Sequence, residues 1–252
     1  MEKNEINFDN YIKVIEEIYN EALLASSYFL IVQKLRKSFK EYNSEVNISP
    51  AFYSYTLSAL QEACFVNVAK LYDNSKNSKG LNKIIRDVLN NERLFSRFEE
   101  DKVCHEHFIK KYEECFFEEH IQKEKEFNEI FDNSEDVPIS IKLTSKQYLE
   151  LYKMVYNSFS KTIEKVRTQR NKIYVHNDER GLIDLDSIQN NFPISYQEME
   201  KLIEFALDVT TFILSVLTGD TKARKVSNIN DLENTLMMVA KGLEIQKEKG
   251  LI

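Results

Sequence analysis

Turn-forming residues are scarce: glycine occurs five times and proline three times in 252 residues, well under their usual shares of about 7% and 5%. A chain so poor in them has few tight turns or strand bends, and this points to long helices. Gly80, Gly181, Gly219, Gly242 and Gly250 never come closer than eight residues apart. No glycine-rich loop therefore exists to cradle a phosphate or dinucleotide, which excludes P-loop and Rossmann readings. No apolar run approaches the roughly 18 residues of a membrane span. The opening Met1-Glu2-Lys3-Asn4-Glu5 lacks the basic and apolar regions of a signal peptide, so the expectation is a cytoplasmic protein with no membrane partner. Cys64, Cys104 and Cys115 form no close pair, as expected of reduced thiols.

What is present is charge, unevenly spread. The formal net charge is -7, yet residues 98–136 alone carry 14 acidic and 5 basic side chains, a net of -9. Residues 161–176 carry Lys161, Lys165, Arg167, Arg170 and Lys172 against Glu164, a net of +4. The acidity is therefore local, and the average conceals a basic stretch.

Apolar residues recur at helical spacing along nearly the whole chain. Tyr11, Ile12, Ile15, Ile18, Tyr19 and Ala22 predict a long helix from Phe8 to about Tyr42. Ser49-Pro50 offers a cap and first turn for a second, whose stripe Tyr53, Leu57, Leu60, Cys64, Val68 and Leu71 makes Cys64 a core residue. It stops in the polar loop Asp73–Gly80. A third begins near Leu81, and a strongly acidic fourth runs from about Phe98 to Phe131. Residues 132–144 read as a loop or short strand. A fifth helix starts near Ser145, carries Val155, Phe159, Ile163, Val166 and Ile173, and ends near Asn177. Ser195-Tyr196-Gln197-Glu198 fits a capping box for a sixth, closed near Leu217 by Gly219. Asn230-Asp231-Leu232-Glu233 repeats the signature for a short C-terminal helix. With no internal repeat, the economical architecture is an all-α bundle. Its length allows one large domain: residues 1–218 with the 98–131 helix packed on it or projecting, then 219–252 as linker and short helix.

Arg170 breaks the fifth helix's stripe. Counting 155, 159, 163, 166, 170 and 173 puts a guanidinium on the core face, where an unpaired charge costs several kcal/mol. Its forked donors match a phosphate, and His176 adds a group that titrates near neutrality. Such a pair suits metal-independent RNA cleavage: a base takes the 2′-hydroxyl proton, the oxygen attacks phosphorus, and a cation stabilises the phosphorane. Six residues at about 100° each set the two side chains about 120° apart on a regular helix. They converge if the helix ends before His176, or if a second protomer supplies one of them. The plainer reading is that Arg170 pairs with a carboxylate in the bundle and His176 sits at an exposed helix end.

A second cluster, Cys104, His105, His107, Cys115 and His120, has zinc-binding atoms without zinc-site spacing. Cys104, Phe108, Tyr112 and Cys115 make a core stripe, while His107 shares a face with Lys111, Glu114 and Glu118. The ligands point apart, so no metal and no cofactor is expected; a metal-dependent regulator is the weakest alternative.

Arg170-Asn171 and then His176, in an α-bundle, resembles the motif of the HEPN superfamily, an Arg followed after four to six residues by a His. Leu60-Gln61-Glu62-Ala63 through Ala69-Lys70-Leu71-Tyr72-Asp73, and Arg170-Asn171-Lys172 through His176-Asn177-Asp178, look like the AbiU-type branch linked to abortive infection, over about residues 8–218. The resemblance implies an up-and-down helical bundle and a homodimer with facing motif helices. It implies an endoribonuclease, often a toxin held by an antitoxin or other regulatory protein. Arg170 and His176 would then be catalytic, with Asn171, Lys172, Asp178 and Arg167 binding or orienting the RNA. Relatives silenced by tyrosine adenylylation carry a Tyr two residues after the His; Asp178 stands there, so that control is not implied. The alternative is a non-catalytic HEPN-type module that binds RNA, nucleotide or a protein partner.

Overall fold

The computed structural model describes residues 8–75, 78–91, 103–104, 111–112, 142–143, 145–170, 193–224 and 230–250. Eight helices appear among them: α1 (Phe8–Glu41), α2 (Asn43–Val46), α3 (Pro50–Leu71), α4 (Leu81–Leu89), α5 (Ser145–Ser158), α6 (Ser160–Gln169), α7 (Tyr196–Thr218) and α8 (Asp231–Glu248). The fold is all-α. A two-residue antiparallel ladder joins β1 (Val103–Cys104) to β2 (Lys142–Leu143), pairing Val103 with Leu143 and Cys104 with Lys142.

The centre is α7. Leu202, Ile203, Phe205, Ala206, Val209, Ile213, Leu214 and Leu217 are all buried, so its apolar residues surround the helix instead of forming one stripe. α1 and α3 lie against it and against each other, and α5 flanks it with α4 behind. At 1.5 Å per residue α1 is about 50 Å long. It buries Ile15, Ile18, Ala22, Ala25, Phe29, Val32 and Leu35 along one side. Cys64 is a core residue as expected, its Sγ 3.5 Å from the Ala25 carbonyl oxygen. The capping box of α7 forms as read: Ser195 Oγ accepts from the Glu198 amide, and the Glu198 carboxylate accepts from the Ser195 amide. Gly219 closes the helix in the left-handed region at φ 75°, where any other residue is strained.

Three expectations need correction. The single fifth helix is two, broken at Phe159. Ser158 Oγ donates to the Val155 carbonyl at 2.7 Å, the acceptor that the Phe159 amide would use in an α-helix. The Phe159 amide turns to Tyr156 O instead, and the ladder resumes with the Ile163 amide on Phe159 O. Val155, Phe159, Ile163 and Val166 still form one buried stripe, so the break preserves the periodicity that hid it. Second, Val103 and Cys104 are in a strand, not in the acidic helix; long-range pairing overrides the local pattern there. Lys111 and Tyr112 are described, with Tyr112 buried as its stripe implied; the remainder of 98–131 lies outside the described residues. Third, no side chain caps the helix at Asn230. Asn230 Oδ1 and the Glu233 carboxylate both engage Lys34 of α1, at 2.8 and 3.1 Å, so the signature docks α8 onto α1. Ser49 likewise makes no side-chain cap, although Pro50 does open α3.

Candidate functional site

The loop after α3 is built around Asp73. Its Oδ1 accepts from the Ser75 amide at 2.9 Å, and its carbonyl accepts from Ser78 Oγ at 2.6 Å. Gly80 closes the loop so tightly that a Cβ there would stand 2.2 Å from the Asp73 carbonyl oxygen. Close approach, not a left-handed φ, requires glycine here. Tyr156 of α5 donates to Asn74 Oδ1 at 3.1 Å and stacks on Tyr72 at 5.8 Å, which seats the loop against the helix pair that leads to Arg170.

Arg170 stands at the end of α6 in helical conformation, φ -53° and ψ -51°. Its Nη1 lies 3.4 Å from Asp73 Oδ2, and the two side chains are 19% and 21% exposed. The plainer reading of Arg170, a pairing with a carboxylate of the bundle, is thus observed. The contact is longer than the 2.7–2.9 Å of a tight charge-assisted bond. Burial by itself would raise the Asp73 carboxyl; the Ser75 amide and the Arg170 guanidinium outweigh it and hold the group below 3.8. One turn earlier on the same face, Arg167 Nε is buried with no hydrogen-bond partner. An orphaned donor of that kind costs about 1–3 kcal/mol, which an anion would relieve. Glu198 of α7 ties α6 down through Lys165 at 2.9 Å. Of the other residues marked by the sequence, Asn171, Lys172, His176 and Asp178 lie outside the described residues, as do His105, His107, Cys115 and His120.

The HEPN family model AbiU2 matches residues 8–235. The chain belongs to the AbiU2 family of HEPN proteins. The match runs past Gly219 into α8, further than the 8–218 span of the sequence resemblance. No curated protein and no solved structure matches the chain. In this AbiU2 protein Asp73, in the loop just after α3, faces Arg170 at the C-terminal end of α6. No helix among the described residues is long and apolar enough to cross a membrane.

Two features escaped the sequence reading. Asp73 reads in the sequence as the first residue of a polar loop and as part of the likeness, and its role as the counter-charge to Arg170 is tertiary. Asp208 is the other. It is 4% exposed on the apolar α7, accepts from Lys111 Nζ at 2.7 Å and Tyr112 OH at 2.6 Å, and pairs with Arg224 at 3.0 Å. The signal is in the sequence: a carboxylate stands among the apolar Phe205, Leu207 and Val209 of a helix that is apolar all round. It ties two separate segments to the central helix.

Proposed function

We propose that this HEPN protein is a metal-independent endoribonuclease of abortive infection or toxin-antitoxin growth arrest. His176 takes the 2′-hydroxyl proton and later returns a proton to the leaving 5′-oxygen. Arg170 stabilises the charge on the phosphorane, assisted by Arg167, while Asn171, Lys172 and Asp178 orient the RNA or the imidazole. The observation that carries this reading is the paired arginines on one face of α6, one half-buried and the other with a buried orphan donor, within a HEPN family match. The reading includes a cytoplasmic homodimer whose facing motif helices complete the cleft, an antitoxin or other regulatory protein, and a division into the bundle 1–218 and the tail 219–252.

The experiment is cleavage of a mixed RNA pool in EDTA, wild type beside Arg170→Ala and His176→Ala, with the mass of each in solution measured by light scattering. Cleavage by a dimeric wild type and its loss in both folded variants is the expected result; full activity in either variant overturns the mechanism. The Asp73 contact favours a second reading, a binding module whose arginine is held by its own carboxylate. Asp73→Asn separates them: an enzyme gains RNA affinity when the competing charge goes, whereas in a module that binds no phosphate there nothing changes.

A further inference from the structure

A cavity of about 190 Å³ opens between α1, α3, the end of α6 and the start of α7. It opens to the surface beside the exposed Tyr196, so a solute can enter it. Phe29, Phe65 and Met199 wall it with apolar surface, while Gln61, Gln169 and Tyr196 bring polar groups to its lining. That mixture does not suit an aliphatic chain. Each glutamine amide offers two donors and two acceptor lone pairs, and the Phe29 and Tyr196 rings stand 6.1 Å apart, tilted by 45°. A flat heterocycle with donors and acceptors on its edge fits both features.

Position narrows the occupant further. Gln169 is buried in the cavity lining, and the next residue is Arg170, whose guanidinium meets Asp73. Adjacent Cα atoms are about 3.8 Å apart, so the cavity lining and Arg170 meet at neighbouring residues, whose side chains diverge by about 100° around the helix. Arg36 lies over the Tyr196 ring at 4.8 Å, placing a second cation beside the cavity where a backbone phosphate would pass. Proteins that read single-stranded RNA splay out bases, stack them on aromatic rings and hydrogen-bond their edges.

We propose that this cavity takes an unpaired RNA base next to the phosphate held at Arg170, with Gln61 reading its edge. The proposal rests on the ribonuclease reading for what happens at that phosphate, and it makes base preference a property of Gln61. Gln61 is suited to testing because it is half-buried and its bond to Tyr196 OH is a long one, 3.4 Å. Its replacement leaves the core intact.

The probe is a 2′-O-methyl RNA hexamer, which cannot be cleaved, carrying one 2-aminopurine or one abasic residue at each position in turn. With wild type, 2-aminopurine fluorescence falls on binding at one position, and an abasic residue there weakens affinity. Gln61→Leu lowers affinity at that position about 3- to 10-fold, the effect of a lost hydrogen bond. Gln61→Trp, with its ring across the opening, abolishes the fluorescence change while the melting temperature holds. Affinity indifferent to abasic substitution at every position, or a fluorescence change that persists in Gln61→Trp, overturns the proposal. Cleavage of natural RNA separates the two readings. Position-specific fluorescence loss without cleavage keeps the base pocket and removes the nuclease. Cleavage with the same site preference in wild type, Gln61→Leu and Gln61→Trp removes the pocket and keeps the nuclease.

Discussion

Replacing Asp208 with Ala tests whether the buried carboxylate holds the bundle together. Its three partners contribute unequally. Arg224 is 52% exposed and Lys111 25%, so both return to water when the carboxylate is gone, and each pairing is worth about 0–1 kcal/mol. Tyr112 is only 4% exposed and loses a charged acceptor at 2.6 Å, a bond worth about 1.5–3 kcal/mol. Relief of the carboxylate's own desolvation offsets part of the sum. The net expectation is a loss of about 2–3 kcal/mol, or roughly 5–10 °C in Tm for a chain of this size. Urea and thermal unfolding of Asp208→Ala, Tyr112→Phe and the double variant provide the assay. In the double variant the Tyr112→Phe step becomes nearly silent, because its acceptor is already absent. Additive effects of the two substitutions, or an Asp208→Ala midpoint equal to that of wild type, would refute the reasoning.

Gly80→Ala forces its Cβ against the Asp73 carbonyl and lowers stability by about 1–3 kcal/mol; an unchanged urea midpoint contradicts the close approach. Tyr72, Tyr112 and Tyr152 have phenols pushed above 10.0 by burial first, then by neighbouring phenols and by Asp208. A folded-state value above the unfolded one means the native protein holds its proton longer. Stability is therefore intact below pH 10 and falls above it by about 1.4 kcal/mol per pH unit for each tyrosine. Urea midpoints across pH 9–11.5 check this, with phenolate absorbance reporting ionisation; a flat profile counts against it. Lys34→Met removes the two polar contacts that Lys34 makes to the start of α8. Amide exchange of residues 231–248 quickens several-fold, as a loss of about 1 kcal/mol implies, while α7 stays protected. Equal exchange in both proteins would show that Leu236 burial suffices.

Helices were legible in the sequence because the same residues that make the stripe also make the contact. The scarcity of glycine and proline, the run Ile84, Ile85 and Val88, and the box at Ser195 and Glu198 carry local information, and they led to the right class and to most helix positions. Arg170 was also legible, since a charge on an apolar face stands out in one dimension. Asp208 carries the same signal, a carboxylate between the apolar Leu207 and Val209. The break at Phe159 was invisible because the stripe passes through it in register; only the competing Ser158 hydroxyl reveals it. What required the tertiary structure were relations between distant segments. The contact of Asp73 with Arg170 spans 97 residues and that of Tyr112 with Asp208 spans 96. The cavity beside Gln169 is lined from four helices and the residues that lead into α7. No periodicity encodes such distances, because they are set by how whole helices pack, and that is a property of the folded chain as a whole.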